Sequence, residues 1–384
     1  MGVRRVRRSQ RRVAWACAVA LLGGVLLAGW GRAAALTFPS SADETKFGAQ
    51  IAKQIETHYR IVTDPSQADR VTAVGNAVAK VVERQDLTYH FQIVQSPGVN
   101  SFAVPGGWVY VTEGMMQFVR TDDELAAVLA HELTHINHRD YYIEQDRQAH
   151  LTPAMWVALA VSILAQSPGP FLAAEYGIQG SMTTYHQDLE RNADLTGVLY
   201  LTKTSYTPVA MLTLLEHLAQ TDQLSGQTAV NGSVQDHPET NVRVSYVRSD
   251  LQQLGIPIVR RVAEGYLRIS LDPAVAAGAQ PVTIRVDGRP ILTLGAVVGG
   301  QLPIQRAQAI ADQMNAFFNS DPAPYDVRVS NLLGTTSVIG AQTILYRVAP
   351  EDASYAHQGA EALAGAVRTQ LAQAIDNAPY NRRF

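Results

Sequence analysis

Five residues, His131-Glu132-Leu133-Thr134-His135, constrain this chain more than any other feature. They lie in a helix-period run from Asp122 to Tyr141 whose apolar positions are Leu125, Val128, Leu129, Leu133 and Ile136. Asp122, Asp123 and Glu124 open the run, where the positive end of the helix dipole favours acidic side chains. At about 100° per residue, His131 and His135 fall about 40° apart, one turn from each other on one face. Two imidazoles so placed can hold one zinc ion through ring nitrogens. Glu132 is rotated about 100° from His131. It therefore reaches beside such an ion, where a carboxylate can take a proton from a metal-held water.

A zinc site with an open position for water needs a third protein ligand. The residues after His135, Ile136 to Tyr141, lack a Gly and a further His at the spacing that would supply one on the same stretch. His138 points near the same face and reads as a hydrogen-bonded surface histidine rather than a ligand. Downstream, Tyr185 to Asp194 opens a second helix-like run in which Glu190 and Asp194 are spaced i, i+4 on one face. Taken alone, that pair reads as a solvated acidic face. A ligand carboxylate with a neighbour that orients a histidine is the alternative.

Two further blocks stand out. Asn100-Ser101-Phe102-Ala103 runs into Val104-Pro105-Gly106-Gly107, turn chemistry that would hold the preceding residues at a sheet edge, and strand formers Val109 to Thr112 follow. An edge strand binds an extended chain through main-chain hydrogen bonds. His237-Pro238 is followed by Arg243.

Together, in this order, these blocks resemble the HtpX/BepA-type zinc metallopeptidases, peptidase family M48, of the gluzincin kind. The resemblance covers about residues 40–255. It includes Asp123 to Ala130 leading into the histidines, and Glu190 to Asp194 followed by Gly197, with Asn192 in place of a family Glu. It implies Glu190 as third ligand, Asp194 as the residue behind a ligand histidine, and one Zn2+ per chain. It also implies Glu132 as general base, His237 at the oxyanion, and substrate binding along Asn100, Ser101, Phe102 and Ala103. Asp140 stands where some relatives have a histidine.

The chain has 384 residues, enough for two domains. Its first 35 residues hold seven of the 31 Lys and Arg and no acidic residue. The remaining 24 face 34 Asp and Glu, so a nucleic-acid surface is not expected. Arg4 to Arg12, the apolar stretch Val13 to Trp30 and Ala33-Ala34-Ala35 read as an export signal, with an uncleaved membrane anchor as the alternative. The single Cys17 lies in that stretch, so no disulfide or thiol chemistry is expected after cleavage.

The expected fold class is α+β. Residues 1–35 are the export signal or anchor. Residues 36–271 are a mainly helical gluzincin-type peptidase domain with a small edge-strand sheet. Residues 272–281 are an Ala/Gly/Pro-rich linker, and 282–384 are a β-β-α-β-β-α accessory module. Helices are expected near 42–58, 66–83, 122–145, 183–203, 207–220, 239–253, 303–319 and 352–376. Strands are expected near 87–94, 107–112, 282–288, 325–330 and 342–348. Residues 153–165 are apolar all round and read as a buried helix or lid, with a membrane-dipping segment as the alternative. Residues 222–235 read as a mobile loop carrying His237.

The expected activity is a zinc metalloendopeptidase of the periplasm or an equivalent exported compartment, acting on unfolded or misassembled polypeptides. Membrane association comes with the anchor alternative. The competing reading is a latent peptidase acting as a chaperone-like binding protein, its zinc capped by His237. No tetratricopeptide repeat is visible, so the partners of BepA-type proteins are not carried over.

Overall fold

The computed structural model describes residues 37–147, 187–225, 240–332 and 334–378. The expected export signal, the stretch 153–165 and His237 lie outside the described residues. Among these, no helix is long and apolar enough to cross a membrane.

Helix α1 (Ser41–His58) starts at Ser40, whose hydroxyl accepts from the Asp43 N–H at 3.2 Å. Helix α2 (Pro65–Ala79) starts at Asp64, with Pro65 in the first turn where its missing N–H costs nothing. Three strands follow: β1 (His90–Val94), β2 (Ser101–Val104) and β3 (Trp108–Thr112). β3 lies between the other two, parallel to β1 and antiparallel to β2. Its buried Val109, Tyr110 and Val111 suit a central strand. β2 is therefore a terminal strand of its sheet among the described residues.

The turn from β2 to β3 needs its glycines. Gly106 and Gly107 have φ of +80° and +112°, and a Cβ on Gly106 would lie 2.6 Å from the Glu44 carbonyl oxygen of α1. Glu44 is buried, and its Oε1 accepts from the Gly106 N–H (3.2 Å) and from Arg84 Nη1 (2.9 Å). The opening helix is thereby fixed onto the end of the edge strand.

After the short α3 (Glu113–Phe118) comes α4 (Asp122–His138), capped by Thr121, which accepts from the Glu124 N–H. Leu125 to Ile136 is buried on every side. Leu125, Leu129 and Leu133 join Val198, Leu201, Met211, Leu212 and Leu215 in the largest core cluster. Full burial of each such side chain contributes about 1.5–3 kcal/mol. The expected single helix over 122–145 is broken: Arg139 adopts the left-handed region (φ 59°), its N–H closes on the His135 and Ile136 carbonyls, and α5 (Asp140–Arg147) starts anew.

Helix α6 (Gln187–Leu201) packs along α4. Gly197 permits this approach, since a Cβ there would lie 2.7 Å from Met211 Cε and 3.4 Å from the His131 backbone nitrogen. Helix α7 (Val209–Ser225) covers α4 from another side. It runs through the start of the expected 222–235 loop, the rest of which lies outside the described residues. Helices α8 (Thr240–Gln253) and α9 (Arg260–Glu264) complete this part.

A second core begins at Tyr266 and Leu267. Strands β4 (Ile269–Asp272), β5 (Val282–Val286) and β6 (Arg289–Leu294) form an antiparallel meander, followed by α10 (Pro303–Phe318). Strands β7 (Val327–Leu332), β8 (Thr335–Gly340) and β9 (Thr343–Arg347) form another meander, followed by α11 (Pro350–Tyr355) and α12 (Ala360–Asp376). The expected β-β-α-β-β-α order thus gains a strand in each sheet. The 272–281 stretch does not separate two cores, because β4 before it pairs with β5 after it. The single helix expected over 352–376 is split where His357 turns to φ 53° and Gly359 caps α12. The two cores are tied by Arg261, which donates to Asn319 at 2.7 Å, and by Arg260, which is held on Glu216 by two 2.8 Å bonds and reaches Asp321 Oδ2 with its Nη1 at 3.5 Å. Among the described residues the fold is α+β: helices with three small three-stranded sheets.

Candidate metal centre

α4 directs His131 and His135 to one side, where α6 brings Glu190 against them. The two Nε2 atoms lie 3.1 Å apart. Glu190 Oε2 is 3.5 Å from His131 Nε2, and Oε1 is 3.5 Å from His135 Nε2. All three side chains are buried. Around a tetrahedral zinc ion with bonds of about 2.0–2.1 Å, neighbouring donor atoms stand about 3.3 Å apart. Two imidazole nitrogens and a carboxylate at these separations therefore fit such an ion, and among the described residues no other cluster of three does so.

The outer nitrogens are engaged. His131 Nδ1–H donates to Asp194 Oδ1 at 2.9 Å, and His135 Nδ1–H donates to Asp140 Oδ2 at 2.8 Å. Each bond fixes the tautomer that turns the Nε2 lone pair toward the shared point, and raises its basicity. Asp194 is held in turn by Arg243, whose Nε and Nη2 donate to its two oxygens at 2.8 and 2.7 Å, and by Tyr246 Oη at 2.8 Å. Arg243 Nη1 also stands 3.3 Å from Glu190 Oε2. This one guanidinium braces both the third donor and the residue behind the first.

The electrostatics favour a cation at the shared point. Burial opposes charge on His131, but the Asp194 and Glu190 carboxylates outweigh it and raise its pKa to about 10. Burial also works against the Asp194 carboxylate, yet Arg243 and His131 hold it well below the usual carboxylate range. Asp140 is pushed up to about 7 by its burial. A divalent ion on the two Nε2 atoms would supply the positive charge that a proton on His131 supplies without it.

Glu132, next along α4, is buried and accepts from Ser101 Oγ of β2 at 2.7 Å. The edge strand and the acid–base candidate are thereby joined. The Ser101 N–H donates to Asn100 Oδ1 at 2.8 Å. Phe102 points elsewhere, its ring stacked on Tyr110 with centroids 5.1 Å apart in a separate small core. Ala103 pairs with Val109 across the ladder. Of the four expected substrate-binding positions, Ser101 bonds directly to Glu132. His138 ends α4 and is not among the converging donors.

Asp140 and Tyr246 were not assigned to the centre from sequence, and Arg243 entered only as part of a motif. Asp140 follows a helix break that no Gly or Pro announces. Arg243 and Tyr246 are spaced i, i+3 on α8, a pairing visible in the sequence but without meaning until α8 is known to face α6.

Comparison with known proteins adds an independent line. Residues 65–250 match the model of Peptidase family M48, and residues 281–378 match a family described as a domain of unknown function. The chain is similar to the beta-barrel assembly-enhancing protease of Yersinia pestis, 27% identical over 218 residues that make up 55% of this chain and 44% of that protein. The protein of the same name from Escherichia coli (strain K12) is 26% identical over 234 residues, 59% of this chain and 48% of its own. The mitochondrial metalloendopeptidase OMA1 of Schizosaccharomyces pombe is 25% identical over 217 residues, 56% and 63% respectively. The chain thus spans about half the length of the first two relatives.

Proposed function

Because residues 65–250 belong to peptidase family M48, we propose that the chain is a zinc-dependent metalloendopeptidase of the bacterial cell envelope that cleaves unfolded or misassembled polypeptides. The observation that carries this reading is the convergence of His131, His135 and Glu190 within 4.8 Å of one another, beside a buried Glu132.

His131, His135 and Glu190 would hold the ion. When bound, zinc supplies the Lewis acidity that polarises the scissile carbonyl and activates water. Glu132 takes the proton of the attacking water and passes it to the leaving amine. Ser101 Oγ fixes the orientation of that carboxylate through the 2.7 Å bond. Asp194, Asp140 and Arg243 keep the imidazoles and Glu190 aimed. His237, outside the described residues, is assigned to the oxyanion on the strength of the sequence resemblance.

The terminal position of β2 supports an extended substrate, since a polypeptide adding to its edge pairs main chain to main chain with loose sequence demands. The arginine-rich start and the apolar Val13 to Trp30 support export, as does the similarity to beta-barrel assembly-enhancing proteases.

The test compares metal content and casein degradation of the protein with those of Glu132→Gln. Zinc in both and degradation in the parent alone is the expected result. Equal degradation by the variant overturns the mechanism. Zinc in both with degradation in neither favours a binding protein over an enzyme.

A further inference from the structure

His217 of α7 lies outside the metal centre and is buried. Glu124 of α4 places Oε1 3.1 Å from its Nδ1, and Glu264, at the end of α9, places Oε2 3.3 Å from its Nε2. Arg120, in the turn before α4, places Nη1 2.6 Å from the same Nε2 and donates to Glu264 Oε2 at 2.8 Å. Glu124 is fixed by Thr213 Oγ1 at 3.1 Å and by the Arg120 N–H at 2.9 Å. The Phe118 ring of α3 meets the imidazole edge-on, and α8 contributes Arg248 to the neighbouring Glu216 at 3.1 Å. Nε2 cannot serve both of its neighbours at once. A neutral ring with its proton on Nδ1 accepts from Arg120 through Nε2, whereas a protonated ring repels Arg120 and donates to Glu264. The Arg120 side chain is 38% exposed, so it has room to give way. Two glutamates against one arginine leave a buried negative charge, which a proton on His217 cancels. Burial opposes charge on the ring, but Glu124 and Glu264 outweigh it, and its pKa lies above the ordinary histidine value.

The cluster sits where three parts of the molecule meet. On α7, Leu214, Leu215 and Leu218 of the same turn wall the cleft that holds His131 and Glu132. On α9, Arg261 bonds Asn319 and Arg260 bonds Asp321, both in the second core, while Arg260 also holds Glu216 beside His217. We infer that His217 is a pH-operated latch: protonated, it binds α7 to α9 through Glu264 and so joins the cleft wall to the second core; neutral, it releases Glu264 and lets α7 move against α9. The sign follows from linkage. The contact is complete below the unfolded histidine value of about 6.5 and is lost as pH rises through the higher value of the folded protein. The two pairings of Nε2 are the two states that such a switch needs. The consequence for hydrolysis, a cleft whose wall yields as pH rises, rests on the peptidase reading; the latch itself does not.

Two measurements on the full-length protein test this. NMR with isotope-labelled histidine rings follows the His217 signal, identified by its loss in His217→Gln. Its titration midpoint should lie above about 6.5. Glu264→Gln should lower that midpoint, and Arg120→Ala, which removes the competing cation, should raise it. A histidine buried for packing alone would titrate below the ordinary value and would not separate the two variants in this way. Hydrogen exchange, corrected for the intrinsic rate and referred to α2, should show α7 opening at least ~10-fold more at about pH 9 than at about pH 6. In His217→Gln, α7 should open equally at both. A midpoint at or below the ordinary value, shifts of the same sign in Glu264→Gln and Arg120→Ala, or the parent's pH dependence retained in His217→Gln overturns the latch. If His217→Gln does not fold, the signal moved by Arg120→Ala, a change at a part-exposed site, identifies the ring and decides the question. Neither readout needs turnover, so an inactive protein leaves the test intact, and failure of the latch leaves the peptidase reading untouched.

Discussion

Asp140 Oδ2 accepts from His135 Nδ1 at 2.8 Å across a left-handed turn at Arg139. The residue that steadies the second histidine is thus carried by the helix after the break, not by α4 itself. Asp140→Asn keeps the size of the side chain and weakens this support. Zinc affinity, measured by competition with a chromogenic chelator, should fall about 10–100-fold while the circular dichroism spectrum is kept. Unchanged affinity would mean that the bond orients nothing.

Arg243 presents a different case, because it faces two buried carboxylates, Asp194 and Glu190. Arg243→Ala leaves both without their cation. Urea unfolding of the metal-free protein should show a loss of about 3–5 kcal/mol. Arg243→Lys should recover part of it, since an ammonium cannot reproduce the two-pronged contact with Asp194. Equal stability of parent and Arg243→Ala would show that the carboxylates take up protons at no cost.

Gly48 of α1 lies against the Pro105 carbonyl so closely that an added Cβ has no room. Gly48→Ala should push α1 away from the β2–β3 turn and cost about 1–3 kcal/mol. Hydrogen exchange should quicken at Ser101 to Val104 before it changes in the second core. A uniform rise across both cores would indicate that α1 does not hold the edge strand in place.

Metal removal gives the fourth expectation. EDTA should lower the thermal midpoint, and added zinc should restore it. A free metal concentration one hundred times the dissociation constant corresponds to about 2.7 kcal/mol. An unchanged midpoint across that titration would argue that the ion binds folded and unfolded chains alike.

How much of this could be read beforehand follows from the range of the forces involved. α4 was legible because its apolar residues and acidic start repeat at the helical period, a local signal. Its end at His138 was not, since Arg139 takes a left-handed conformation that glycine or asparagine would normally mark. β4 escaped notice because Ile269-Ser270-Leu271-Asp272 is four residues long and its partner lies beyond a loop rich in Ala and Gly. β8 escaped because Thr335-Thr336-Ser337 gives it a polar half. Within the centre, His131, Glu132 and His135 were legible from spacing, and Glu190 and Asp194 only through family resemblance. Tyr246 acts across a tertiary contact, and Asp140 acts across a helix break that no local residue pattern announces.

The donors come from two helices far apart in the chain: His131 and His135 on α4, Glu190 on α6, 55 positions beyond His135. Before α6 docks on α4, the two histidines have no Glu190 opposite them. The three-donor set is therefore a product of tertiary folding, made where Gly197 lets the two helices approach.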